Sequence, residues 1–214
     1  MPTIRNRTKQ HLPTVLLTLL SIIQALALEL LWTHITESQY LFEPSWLVAM
    51  YWTQILASFL GIVLIWIVYA SSAMRFRWVP TTSDSVFPFL VGILEFSLVE
   101  GLGPDNLGYW LINLSLLFGL MTLIDHSIMR RARRDPENDI YFRQLRPATL
   151  HDFYPSIAIF IGLAIAGVYL WFSKDSVVVA ALALLGTNLT IAWLLLKSAT
   201  YWDRSVSDEG LENR

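Results

Sequence analysis

The chain alternates between long apolar runs and short polar segments. Six apolar windows can be recognised, at about residues 13–34, 46–71, 86–102, 107–128, 153–173 and 177–199. Each reaches or approaches the ~20 residues that an α-helix needs to cross ~30 Å of hydrocarbon. The pattern predicts a single all-α domain, a polytopic transmembrane bundle of six spans, with a longer loop at about 129–150 and a polar tail at 200–214.

Two of the windows differ from a simple apolar span. Glu95 and Glu100 interrupt the third, and Gly101-Leu102-Gly103-Pro104 ends it, so a re-entrant segment is the alternative there. The first window follows basic residues and contains Ala25-Leu26-Ala27, which resembles a signal-peptidase site. Because this run is long enough to span, we expect an uncleaved first helix.

The composition supports a membrane location and excludes several kinds of chemistry. Of the 214 residues, 55% are hydrophobic and 15% are charged, which lies outside the range of an ordinary soluble domain. Because the chain has no cysteine, it can form no disulfide, thiolate metal site or cysteine nucleophile. It contains no phosphate-binding glycine-rich loop, HExxH or GxSxG motif. No motif points to a known family, and the charge pattern gives no reason to expect a nucleic-acid partner.

Basic residues occur in alternate polar segments. Of the 15 lysine and arginine residues, all except Lys174 fall on one side of the predicted bundle. Since cytoplasmic loops carry the excess of basic residues, both termini are expected in the cytoplasm. The short loops, the small size and the absence of cysteine favour a bacterial inner membrane.

Polar residues are expected at similar depths in the outer half of the membrane. They are Glu29, Gln54, Glu95 and Asn113, with Glu100 nearer the rim. An ionisable residue inside a membrane is costly, and by default it marks an ion or proton pathway. If Glu29 and Glu95 approach each other, they would share a proton or hold a cation. The alternative is that these groups hydrogen-bond neighbouring helices together.

Histidine and aspartate residues are predicted to meet at the cytoplasmic face. They are Asp125 and His126 at the end of the fourth span and His151 and Asp152 at the start of the fifth. Such side chains can bind a transition metal or act as an acid and base pair. However, Asp152 could instead cap the fifth helix, as Asp84 or Ser85 could cap the third. No cofactor is therefore predicted, and a transition metal at this cluster is the alternative.

The longer loop begins with a basic cluster. Its members are Arg130, Arg131, Arg133 and Arg134. A basic cluster beside a membrane attracts anionic lipid headgroups, and it could also dock a soluble or membrane partner.

Small and polar residues suggest helix contacts in the last two spans. Ala158, Gly162 and Ala166 recur every four residues and predict close packing against a helix of the same chain or of a second copy, so a homo-oligomer is a further expectation. Thr187-Asn188-Leu189-Thr190 predicts hydrogen bonds between helices near mid-membrane.

These observations leave three functional hypotheses. The leading one is a channel or transporter-like protein that handles protons, cations or a small solute through the polar layer. The first alternative is a non-catalytic subunit or anchor that docks a partner on the basic loop. The second is a membrane-embedded enzyme that uses the His/Asp cluster, so catalysis is less favoured than a non-enzymatic role.

Overall fold

Six long helices make up most of the part of the chain that the structure describes. The computed structural model describes residues 4–142, 149–173 and 176–212. Within them the helices are α1 (Ile4–Glu37), α2 (Trp46–Arg75), α3 (Thr82–Glu100), α4 (Leu107–Ala132), α5 (Leu150–Phe172) and α6 (Val177–Glu212). All six are long and apolar enough to span a membrane. The prediction of six long apolar helices is confirmed, and these helices are compatible with an integral membrane protein. The third window is one continuous helix.

Short helical turns lie in the connections between the long helices. They are Gln39–Phe42, Pro104–Asn106, Pro136–Asn138 and Asp139–Phe142. At one connection Gly103 has a φ of 128°, a left-handed conformation that favours glycine.

The first and last helices are longer than their apolar windows. α1 starts at Ile4 and α6 continues to Glu212, whereas the apolar windows run from 13 and to 199. A polar sequence marks the edge of the hydrocarbon but does not end a helix, because lysine, glutamine, arginine and glutamate all favour helical backbone. Both extensions lie at the end of the bundle that carries the basic residues, here called the basic end. The opposite end is called the far end.

Capping residues fix the starts of three helices. Ser45 caps α2, where its hydroxyl accepts a hydrogen bond from the Val48 amide at 3.2 Å. Thr81 and Thr149 cap α3 and α5, and each forms a capping box with the aspartate three residues later. The aspartates considered as caps, Asp84 and Asp152, are thus the reciprocal partners of threonine caps.

The helices form a ring in the order α3, α1, α2, α6, α5, α4. α1 packs against α2 and α3, α4 packs against α3 and α5, and α2 packs against α6. α5 and α6 touch each other much less. In the most apolar windows of α1 to α4, 33–44% of residues are buried, against 11% in α5 and 22% in α6. α1 to α4 are therefore the packed part of the bundle, and α5 and α6 are peripheral.

α4 and α5 approach closely where glycines face each other. A Cβ atom at Gly108 would lie 2.5 Å from the Trp171 amide nitrogen, and one at Gly167 would lie 3.0 Å from the Gly108 carbonyl oxygen. By contrast, a Cβ atom at Gly162 would meet no atom within 4 Å, and Ala158 is exposed. The predicted small-residue stripe therefore does not make this contact. Five residues rotate a helix by about 140°, so Gly162 and Gly167 face different directions.

The basic end is held together by buried polar side chains. Lys9 of α1 lies 2.7 Å from Asp135 and 2.6 Å from Glu137. Asn138, 1% exposed, accepts a hydrogen bond from the Arg77 amide at 2.9 Å and donates to the Ala132 carbonyl at 2.7 Å. These contacts fasten the segment after α4 to α1 and to the segment after α2.

We expect Gly108→Ala to destabilise the protein more than Gly186→Ala. At Gly108 the added methyl group would overlap backbone atoms of α5, and overpacking of this kind costs about 1–3 kcal/mol. At Gly186 the same methyl group would meet no atom within 4 Å. Thermal unfolding in a mild detergent measures the difference. Equal melting temperatures for the two variants would contradict the α4 and α5 packing described above.

Asn138→Ala should lower the free energy of unfolding by about 1–3 kcal/mol, because it leaves buried backbone groups without partners. Asp139→Ala is the matched control, since this neighbouring side chain is exposed. The measurement is denaturant or thermal unfolding of both variants beside the unmodified protein. A loss of stability shared by both variants would mean that Asn138 has no special structural role.

Candidate intramembrane binding site

An elongated cavity lies between α2, α4, α5 and α6. Its volume is about 590 Å³, within the roughly 300–1,000 Å³ typical of small-molecule sites. Its wall is mainly apolar, with Ile65 from α2, Leu117 from α4, Leu163 from α5 and Ile191 from α6 among the lining residues. The cavity therefore suits the apolar part of a ligand.

The cavity exists because small residues face each other across it. Gly61 of α2, Gly162 of α5 and Gly186 of α6 all line it, and a Cβ atom at any of the three would meet no atom within 4 Å. Larger side chains at these positions would occupy the space. The limited contact between α5 and α6 leaves the cavity open rather than sealed.

The cavity is long in the direction of the helices. On α5 its lining extends from Asp152 to Ala166, a rise of about 21 Å. On α6 it extends from Leu182 to Ser198, about 24 Å. These lengths approach the ~30 Å thickness of bilayer hydrocarbon. The shape fits a chain that lies along the membrane normal.

The lining at the basic end is charged. Asp125 of α4, Asp152 of α5 and Lys197 of α6 all line the cavity there. Asp152 also accepts hydrogen bonds from the Thr149 amide at 2.7 Å and hydroxyl at 2.9 Å. The Lys197 ammonium lies 5.1 Å from the ring centre of Trp193. The apolar cavity, which suits a hydrocarbon chain, thus ends beside both acidic and basic side chains.

A second polar feature lies about midway along the apolar part of α6, Val177–Thr200. Thr187 lines the cavity and is 4% exposed, and its hydroxyl oxygen has no hydrogen-bond partner among the described residues. The next residue, Asn188, donates to the Thr53 carbonyl at 3.0 Å and so binds α6 to α2. The predicted hydrogen bond between helices is therefore made by Asn188, while Thr187 belongs to the cavity wall.

The two acids of the predicted polar layer lie in different environments. Glu95 is fully buried, whereas Glu29 is exposed on the outer face of α1. The α1 residue that reaches Glu95 is Gln24, which donates to its carboxylate at 3.1 Å and to the Ile62 carbonyl at 3.1 Å. Gln24 and Glu29 are five residues apart, and this turns them about 140° away from each other around the helix.

The remaining members of the predicted polar layer make separate contacts. Gln54 is buried and accepts a hydrogen bond from the Gly103 amide at 3.3 Å, which ties α2 to the connection after α3. Asn113 accepts from the Ser97 hydroxyl at 2.9 Å and joins α3 to α4. Glu100 is exposed at the far end. Instead of one connected layer, the structure has polar pairs between particular helices.

The four residues of the predicted His/Asp cluster also lie in different surroundings. Asp125 and Asp152 line the cavity. His126 packs edge-on against Phe153 with ring centres 5.0 Å apart, and His151 packs against Tyr154 at 4.9 Å. In residues 4–142, 149–173 and 176–212 there is no group of three or more His, Cys, Asp or Glu side chains that could hold a metal ion. A catalytic use of these four residues stays a prediction.

Two arginines of the basic cluster have structural contacts. Arg131 forms an ion pair with Asp84 at 2.5 Å, and the Arg133 guanidinium lies 4.6 Å from the ring centre of Phe142. Arg130 and Arg134 are exposed. The predicted contact with lipid headgroups or a partner stays a prediction, and of the four arginines these two are exposed for it.

Several residues of the site were not singled out from the sequence. Gln24, Gly61, Gly186 and Lys197 belong to the buried contacts or to the cavity lining. A signal for Gln24 was present, because a polar residue within an apolar span generally faces the bundle interior. Glycines in opposed spans give no comparable signal, since they can mark either a close contact or an open space.

Comparison with known proteins gives no assignment, because the chain matches no protein-family model, no curated protein and no solved structure. Inference about function rests on the cavity, its charged end and the buried polar contacts.

Proposed function

We propose that this protein binds a small amphiphilic solute within the membrane and handles it in a transporter-like manner, without catalysis. The observation that carries this proposal is the cavity, whose apolar walls extend about 21 Å along α5 and end beside Asp125, Asp152 and Lys197. An apolar chain can occupy the long part of such a site while a polar head remains at its charged end.

The arrangement of the acids favours this proposal over an ion channel. A channel needs a continuous polar lining, and the cavity wall is mainly apolar. The two acids suggested as an ion pathway are separated, with Glu29 exposed and Glu95 buried beside Gln24. A solute with its own apolar part fits the molecule better than a hydrated ion.

The orientation in the membrane is part of the same proposal. The basic end faces the cytoplasm in a bacterial inner membrane, because basic residues are retained on that side. The exposed Arg130 and Arg134 contact anionic headgroups there. The charged end of the cavity then lies at the inner membrane surface.

Filling the cavity should prevent binding. The full-length protein is extracted from membranes in a mild detergent, and mass spectrometry measures the amphiphile retained per protein. We expect Gly162→Leu and Gly186→Leu to reduce the retained amount to background, because the added side chains occupy open space in the cavity. Leu189→Phe is the control, since Leu189 is 62% exposed and lies outside the cavity lining. Equal retention in all variants would refute the proposal.

A second candidate function is proton or cation handling at Glu95. The observation in its favour is that Glu95 is fully buried and that its second carboxylate oxygen has no hydrogen-bond partner among the described residues. A buried acid with an unused oxygen can accept a proton or a cation from a path that reaches it. The contact with Gln24 also gives this acid a structural role, which the experiment must separate from transport.

If Glu95 carries protons, Glu95→Gln should abolish proton flux in reconstituted vesicles, because an amide cannot be ionised. Glu29→Gln is the matched control and should leave the flux unchanged, since Glu29 is exposed on α1. A pH-sensitive dye inside the vesicles reports the flux, and thermal unfolding reports stability. Unchanged flux in Glu95→Gln together with a lower melting temperature would identify Glu95 as a purely structural residue.

A further inference from the structure

We propose that the ligand of the cavity is a phospholipid with a zwitterionic head that carries a primary amine. One acyl chain occupies the cavity, and the head lies at its charged end. This inference rests on the proposed function and specifies the class of solute. It follows from the signs of the charges at the basic end, the depth at which they occur, and the shape of the cavity.

The charges at the cavity end are complementary to such a head. Asp125 and Asp152 can accept hydrogen bonds from a primary ammonium group, and Lys197 can pair with a phosphate. A purely anionic head would leave the two carboxylates facing negative charge, and a purely cationic amphiphile would leave Lys197 facing positive charge. A head with both charges fits all three residues.

The three charged residues lie at the depth expected of a lipid headgroup. Asp125 lies about two turns before the end of α4, Asp152 lies in the first turn of α5, and Lys197 lies near the end of the apolar part of α6. All three are exposed side chains. Charged groups in the hydrocarbon are costly, whereas charges at its edge meet headgroups and water. The ligand head would therefore lie at the level of the surrounding lipid heads.

The shape of the cavity suits one acyl chain of the phospholipid. Its lining follows α5 for about 21 Å toward the far end, past Gly162 and as far as Ala166. Thr187 contributes a hydroxyl partway along, while the rest of the wall there is mainly apolar. Because α5 and α6 make little contact, the second acyl chain can pass between them into the bilayer.

Competition among lipids tests this inference. The full-length protein is reconstituted with an equal mixture of phosphatidylethanolamine, phosphatidylcholine and phosphatidylglycerol bearing identical chains, and native mass spectrometry counts the lipids that remain bound. We expect phosphatidylethanolamine to be retained roughly tenfold or more over the others, because a primary ammonium donates charge-assisted hydrogen bonds that a quaternary ammonium cannot.

Substitutions at the charged end assign the preference to particular residues. Asp125→Asn should remove the preference for phosphatidylethanolamine over phosphatidylcholine, and Asp125→Glu should retain it. Lys197→Gln should weaken the retention of all three phospholipids. Arg77→Gln is the control, because Arg77 is an exposed side chain at the basic end that does not line the cavity. Helix content and elution volume confirm that each variant is folded.

The possible outcomes separate this inference from the proposed function. Preference for phosphatidylglycerol that depends on Lys197 alone would overturn it in favour of an anionic lipid. Displacement of phosphatidylethanolamine by a single-chain alkylamine, unaffected by Lys197→Gln, would overturn it in favour of a cationic amphiphile. In both cases loss of binding in Gly186→Leu would leave the proposed function intact. Retention of all lipids in Gly186→Leu would overturn both proposals.

Discussion

The packing of this bundle depends on satisfying polar groups inside an apolar solvent. Hydrocarbon offers no hydrogen bonds, so a partner within the protein stabilises a polar side chain in a span. Gln24 joins α1 to α2 and α3 through the Ile62 carbonyl and Glu95. The Trp110 indole donates to the Ser58 hydroxyl at 3.1 Å and joins α4 to α2. Such bonds contribute about 0.6–2 kcal/mol each between membrane helices, and they also fix which faces meet.

Glycine has two opposite effects in the same bundle. At Gly108 and Gly167 it allows the backbones of α4 and α5 to approach, while at Gly162 and Gly186 it leaves an open space. Apolar surface gains little from burial against protein when the alternative is lipid, so a membrane protein can keep such a space at lower cost than a soluble protein can. A lipid chain in the cavity would restore the missing contacts.

The sequence predicts the helices better than the site. Length and hydropathy determine six helices, because a membrane span needs about 20 apolar residues. Depth along each helix can also be counted, which predicts Glu95 as an acid inside the third span, and the structure buries this side chain fully within α3. The rotation of each helix about its axis cannot be counted in this way. The sequence suggested Glu29 as the partner of Glu95, whereas in the structure the partner is Gln24. Likewise, the stripe that contains Gly162 was expected to pack against a helix, but Gly162 borders the cavity. These directions are set by packing between distant parts of the chain.

The division of the bundle into a packed part and a peripheral part bears on how a ligand could enter. α1 to α4 are held at the basic end by Lys9 with Asp135 and by Arg131 with Asp84. α5 and α6 are the least buried helices and have little contact with each other. Separation of these two helices would open the cavity to the bilayer while the contacts within α1 to α4 remain intact, and weakly packed elements are those that open at the lowest free energy. Gly108 and Gly167 hold α5 against α4 toward the far end, and His126 packs against Phe153 at the basic end. The opening would therefore lie between α5 and α6, and its charged end with Asp125, Asp152 and Lys197 would receive the head of an entering lipid.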